Sequence, residues 1–190
     1  MWTPRSWYVA LQMALAALPA SARGDVPAGH KDPGTRPPTL PITVTSSGFG
    51  ANEPIPPEYT CDGSQTPPQL SWSKVPSATR SIAVVVDDPD APRGRFLHWL
   101  VIGIPATAAS LPKGGSLPEG AIAARNSKGQ TGYTPPCPPS GRHRYVFHVY
   151  ALDMTPTATP ADEGRFLASI AGHVLAEGEL VGTYQKIAAP

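Results

Sequence analysis

Residues 81–92 read SIAVVVDDPDAP, a run of small and β-branched apolar residues that ends abruptly in three carboxylates and two prolines. An unbroken apolar run, without the alternation of a half-exposed strand, predicts a strand buried on both faces over Ser81 to Val86. Pro89 and Pro92 stiffen the turn that follows, and Asp87, Asp88 and Asp90 crowd its mouth. Carboxylates that close raise the pKa of at least one of them unless donors or cations compensate. Asp also builds ordinary turns, so this stretch alone does not separate a site from a loop.

Outward from this strand, Phe96 to Ile104 (FLHWLVIGI) and Arg144 to Leu152 (RYVFHVYAL) are rich in aromatic and β-branched residues and predict two more strands. Ile42 to Ser46, Gln69 to Trp72 and Glu179 to Gln185 are shorter strand candidates. With 25 Pro and 18 Gly in 190 residues, much of the chain must run through turns, because Pro lacks a backbone donor and breaks helix interiors. Neither an internal repeat nor an alternation of strands and helices is visible, which disfavours a doubly wound sheet. One helix is expected: Thr159 as cap, Pro160 at the first position and Asp162 in the first turn. Phe166, Leu167, Ile170 and Val174 then recur at helical spacing and Gly178 offers a stop. His173 on it reads as a packed or surface histidine. The expected class is mainly β, with one or two short peripheral helices.

Two strands carry histidines. Period-two geometry places His98 on one face with Phe96, Leu100 and Ile102. His143, Tyr145 and Phe147 share a face of their own strand, entered from the loop Pro135-Pro136-Cys137-Pro138-Pro139-Ser140-Gly141-Arg142. A rigid, preformed loop loses less entropy when a ligand docks. Taken singly, His98 fits a hydrogen-bonded core residue and His143 a surface residue after a stiff connection.

The termini and the charge bound the rest. Residues 1–22 (MWTPRSWYVALQMALAALPASA) have a basic residue, an apolar stretch and the small Ala20-Ser21-Ala22, as a secretory signal does, with cleavage expected after Ala22. The apolar stretch is short of the roughly 20 residues a membrane span needs, so no stable span is expected after cleavage. Residues 23–41 hold almost no large apolar side chain and read as a flexible linker, and 42–187 as the folded domain. A periplasmic or secreted location makes a disulfide between Cys61 and Cys137, the only cysteines, the favoured expectation over two buried thiols. Fifteen Lys and Arg against fourteen Asp and Glu, without a basic block, give no support to nucleic-acid binding.

The order DPDAP, then a strand histidine, then a Pro-rich loop leading into His143-Arg144-Tyr145 resembles the phosphatidylethanolamine-binding protein family, closest in its bacterial and archaeal, Raf-kinase-inhibitor-like branch. Tyr59-Thr60-Cys61-Asp62-Gly63, Leu70-Ser71-Trp72, His98-Trp99, Cys137-Pro138-Pro139, Gly172-His173 and Val181-Gly182-Thr183-Tyr184 extend the likeness over most of the chain. The resemblance implies a β-sandwich with a cavity that takes phosphate, acetate and phospholipid headgroups. It implies Asp88, Pro92, His98, His143 and Tyr145 as ligand-binding residues, with Asp90, Pro136 and Cys137 at the rim. Imidazole and phenol groups donate to anionic oxygens, and a buried Asp orients a histidine or receives an amine. Protonation of the two histidines should then raise affinity. The sequence departs from the family where a glycine usually precedes the Pro-rich loop: Pro135 and Pro136 offer no N–H, so a backbone donor is lost there.

The expected function is therefore binding of a small anion or headgroup. The alternative is inhibition of an extracytoplasmic protease or kinase-type protein partner. An acid–base enzyme built on Asp88, His98 and His143 ranks below both, because a nucleophile signature such as GxSxG is absent from the sequence. Neither a cofactor nor a metal is expected, since no short-range ligand spacing supports zinc.

Overall fold

The run at 81–86 becomes the centre of a sheet. The structure is a computed structural model and describes residues 40–156 and 162–187. In chain order its strands are β1 (Leu40–Pro41), β2 (Thr43–Thr45), β3 (Leu70–Ser73), β4 (Ser81–Asp88) and β5 (Phe96–Pro105). Then come β6 (Ser110–Leu111), β7 (Ile122–Ala123), β8 (Arg142–Leu152), helix α1 (Glu163–Ser169) and β9 (Val174–Gln185). A 3-10 turn spans Pro57–Tyr59. One sheet runs β1-β9-β8-β4-β5-β7 and a smaller one β2-β3-β6. All pairings are antiparallel except the short parallel contact of β1 with β9.

Both faces of the large sheet are covered, which is why β4 is apolar without alternation. All eight of its residues are buried. On one face Val84, Val86, Trp99, Phe147 and Val149 pack with Val44, Leu70, Trp72 and Leu111 of the small sheet. The other face sets Ala83, Val85, Leu97, Leu100 and Ile102 against Phe166 and Ile170 of the helical segment. The buried Trp72 indole donates to the Ala108 carbonyl at 2.8 Å, so the core carries its polar handle satisfied. The β-sandwich expected from the sequence is present.

Several boundaries differ from the sequence reading, each for a physical reason. The helix starts at Asp162, whose carboxylate caps the Arg165 amide at 2.8 Å. Thr159 and Pro160, expected to open it, lie outside the described residues, as do residues 1–22 with their expected signal. The helix ends by Ile170, and Gly172 makes the turn with φ 84°. Val174, expected on the helix, instead opens β9, and Gly178, expected as a helix stop, sits inside that strand. His173 lies exposed in the intervening turn with Asp153. Pairing also begins at Leu40, two residues inside the expected linker. Among the described residues no helix is long and apolar enough to cross a membrane.

Gly178 is required by contact. A Cβ there would sit 2.0 Å from the Ile42 carbonyl oxygen, where the chain linking β1 and β2 crosses β9. Gly178→Ala must therefore push this segment off the sheet. We expect a loss of about 3 kcal/mol in urea unfolding, the upper end for overpacking a close-packed site. A loss below about 0.5 kcal/mol, as at an indifferent surface position, would contradict the close approach.

Candidate functional site

The end of β4 presents Asp87 and Asp88 to opposite faces of the sheet, as period-two geometry demands. Asp88 turns to the face shared with the small sheet. Its Oδ1 accepts the Asp90 amide at 2.8 Å and its Oδ2 meets His143 Nδ1 at 2.7 Å. Each carboxylate oxygen thereby has one partner, and Asp88 orients His143. Both side chains are nearly buried. His143 and Tyr145 share this face because β8 runs in regular register beside β4 as far as Asp87↔Val146.

His98 reaches the same place through an irregularity. Val86 pairs with Trp99 and Asp87 with Leu97, so β5 carries one extra residue, His98, against β4. Such a bulge re-aims a side chain. His98 consequently does not share a face with Leu100 and Ile102, which pack toward the helix. Its ring lies 4.8 Å from Phe96 and 5.2 Å, edge-on, from Tyr145. His98 Nδ1 donates to the Thr134 carbonyl at 2.7 Å, and the Thr134 amide donates back to the His98 carbonyl at 2.9 Å. Asn126 Nδ2 in turn donates to Thr134 Oγ1 at 2.8 Å. This reciprocal lock holds the Pro-rich loop against β5.

A disulfide anchors the loop on its other side. Cys61 and Cys137 are bonded, and the Cys61 amide donates to the Pro136 carbonyl at 3.0 Å. Tyr133 Oη also donates to the Tyr59 carbonyl at 2.9 Å.

Between the 88–94 turn and this loop lies a cavity of about 370 Å³. Asp88, Pro92, His98, His143 and Tyr145 all line it, and so does Cys137. Asp90 and Pro136, expected at the rim, do not. Asp90 is taken up by Arg144, with two contacts from the guanidinium and one from the backbone amide at 2.7–2.9 Å. The Arg144 side-chain bonds are the largest cause holding its carboxyl down at about 2. Pro136 faces the Cys61 turn. Sequence reasoning missed Arg93, Phe96, Lys128 and Thr134 in the lining. Arg93 sits beside Pro92 and was within reach of motif reading; Lys128 and Thr134 come from loops without a local signal.

Polar groups of the cavity are left unfilled by the protein. The Tyr145 hydroxyl is fully buried without a well-formed hydrogen bond. Burial, followed by the Asp88 charge, pushes its pKa well up, while the Cys137 backbone amide works against this. Arg93 and Lys128 have no ion-pair partner among the described residues. A larger hollow of about 500 Å³ beside α1 is lined by Arg95, Arg125, Glu163 and Leu167. Its main charges are already matched, Arg95 Nη1 reaching Asp87 at 2.7 Å and Glu163 at 2.9 Å. The open chemistry is in the smaller cavity.

Comparison with known proteins agrees with the fold. The family model described as phosphatidylethanolamine-binding protein matches residues 45–185. A UPF0098 protein of Methanothermobacter thermautotrophicus is 41% identical over 150 residues, covering 76% of this chain and 99% of the relative. A phosphatidylethanolamine-binding protein homologue of Chlamydia trachomatis superposes with a TM-score of 0.73 at 36% identity, covering 77% of this chain and 99% of that one. YbcL of E. coli, described as a member of the mammalian family, gives 0.71 at 34% identity, covering 78% and 100%.

The pKa of His98 is lowered from 6.5, chiefly by burial, against the Thr134 bond and the Asp88 charge. The folded state then binds a proton on this ring less readily than the unfolded chain does. His98 therefore costs no stability above 6.5 and lowers it as pH falls below that value. We expect His98→Gln, which does not titrate, to show a smaller drop in Tm between about pH 7 and pH 5 than the wild type. Equal drops would mean that the ring is charged in the folded protein.

Proposed function

The chain belongs to the phosphatidylethanolamine-binding protein family, and from that premise we propose that it binds small oxyanions, free phosphate or headgroup phosphates, in the cavity beside Asp88 without turning them over. The observation that carries this reading is the convergence of unspent polar groups. The buried Tyr145 hydroxyl has no well-formed bond, and Nδ1 of each histidine is anchored by the protein, leaving Nε2 of both rings to a ligand. Asp88 fixes the orientation of the His143 ring through Nδ1. Arg93 and Lys128 at the same cavity add attraction for negative charge.

A non-catalytic role is supported by the lining, which holds no free serine or cysteine: Cys137 is in the disulfide and Thr134 Oγ1 is engaged by Asn126. Export is part of the proposal. It rests on the signal-like residues 1–22 and is supported by the Cys61–Cys137 bridge, since such bonds persist in oxidising compartments.

Phosphate or phosphoethanolamine should raise Tm by mass action on the folded state. At a ligand concentration of about 100 Kd this stabilises by about 2.7 kcal/mol. His98→Ala combined with His143→Ala should remove the shift while the variant still melts cooperatively. A double variant that responds to ligand as the wild type does would place binding elsewhere.

A further inference from the structure

The helix-covered face of the large sheet holds a second set of charges, apart from the cavity beside Asp88. Asp87 is at its centre. Its side chain is fully buried, and neither of its oxygens has a well-formed hydrogen bond. Arg95 Nη1 lies 2.7 Å from Asp87 Oδ2 and donates to Glu163 Oε1 at 2.9 Å. One nitrogen of a half-exposed guanidinium thus stands between two carboxyl groups, both largely shielded from water. Asp87 also bears on Glu163 directly, by charge and by hydrogen bonding. Arg95 matches both carboxyls only when one of them holds a proton, because an unmatched charge in such a place is costly. A proton on Glu163 would also give Asp87 the donor that its oxygens lack.

The surrounding groups are each committed elsewhere or act on the same pair. From β8, His148 Nε2 stands 3.5 Å from Asp87 Oδ1, and its Nδ1 lies 3.8 Å from Glu179 of β9. The Tyr150 ring packs on His148 and on Phe166. On α1 itself, Asp162 caps the Arg165 amide and meets its side chain. Arg125, in the same hollow, donates to the Gly129 carbonyl at 3.1 Å. Burial is the largest influence on the Glu163 carboxyl and pushes it up; the Arg95 bond opposes this, and the Asp87 charge adds to it.

We propose that Glu163 and Asp87 form a proton-operated clasp for α1, closed by a proton that Glu163 donates to Asp87 beside Arg95, and loosened when that proton passes to solvent. Glu163 is the first residue of α1. Behind it Phe166 and Ile170 cover Val85, Leu100 and Ile102, so the clasp acts at the end of the helix from which undocking can begin. An undocked Glu163 returns to its ordinary value of 4.5. The stabilisation is therefore complete below 4.5 and is lost as pH rises through the raised value of the docked state. This is opposite in sign to His98. The strand pairs of β4 are untouched, so the change is a local opening of the helix.

Amide hydrogen exchange on the full chain tests this, read as protection relative to an unstructured amide at the same pH. The Phe166 and Ile170 amides bond to the Asp162 and Phe166 carbonyls and report on α1. Between about pH 5 and pH 8 their protection should fall at least about threefold relative to that of Val84 in β4. Glu163→Gln mimics the protonated acid, its amide donating to Asp87 while its oxygen accepts from Arg95. That variant should keep helix protection constant over the same range. Equal pH dependence in variant and wild type overturns the clasp. The Glu163 carboxyl carbon, followed by NMR in the wild type, decides without any variant. A titration midpoint clearly above 4.5 supports the clasp; one at or below 4.5 overturns it and leaves Glu163 a charged partner of Arg95.

Discussion

Two adjacent charges at the end of a strand buried on both sides are the constraint around which this molecule is organised. A lone ionised carboxylate in such a position is prohibitively costly, and pairing offsets the cost only with good geometry. Asp87 and Asp88 point to opposite faces, so one partner cannot serve both. Asp87, with a fully buried side chain, is met by Arg95 at 2.7 Å, while His148 stands 3.5 Å away. Arg95 also holds Glu163 at the start of α1, whose carboxyl burial pushes up. Asp88 is met by His143 from β8 and by the amide of its own turn. Each pairing fastens a separate element to the end of β4: the 88–95 turn, β8 and the helix. Removing one partner would leave a buried charge exposed to none, which is why such pairs specify geometry more than they add net stability.

The cavity beside Asp88 is a by-product of this arrangement on one face. Once His143 is committed to Asp88 through Nδ1, only its Nε2 remains for a ligand. The bulge at His98 delivers a second ring at the same end of the sheet, and the Thr134 lock commits its Nδ1 as well. The protein therefore commits one nitrogen of each histidine to structure and leaves the other without a protein hydrogen bond among the described residues. Tyr145, between them, keeps a buried hydroxyl without a well-formed bond. The loop closing this space is held by Thr134 at one side and by Cys137 at the other, so its shape exists before a ligand arrives.

Much of this was legible in the residues. The uninterrupted run at Ser81 to Val86 marked a strand covered on both faces, and its Pro- and Asp-rich end marked a site when read with His98 and His143-Arg144-Tyr145. Three features were not legible, for different reasons. The bulge at His98 depends on pairing with β4, and no local pattern announces it, so strict alternation added Leu100 and Ile102 to Phe96 as companions of the ring, and only Phe96 stands beside it. Gly178 read as a helix stop because Val174 continued an apolar period; its true cause is the approach of Ile42 from more than 130 positions earlier in the chain. Arg93, Lys128 and Thr134 enter the cavity by the packing of loops, and spacing along the chain carries no trace of that.

The central claim is that Asp88 governs recognition indirectly, by orienting His143. Titration of phosphate into Asp88→Asn tests it most directly. The amide nearly preserves size and removes the charge, so the account predicts that phosphate affinity falls by at least about tenfold while the unfolding transition stays cooperative. Wild-type affinity in that variant would contradict the account, since a carboxylate that merely filled space beside His143 could be neutralised without consequence for the anion.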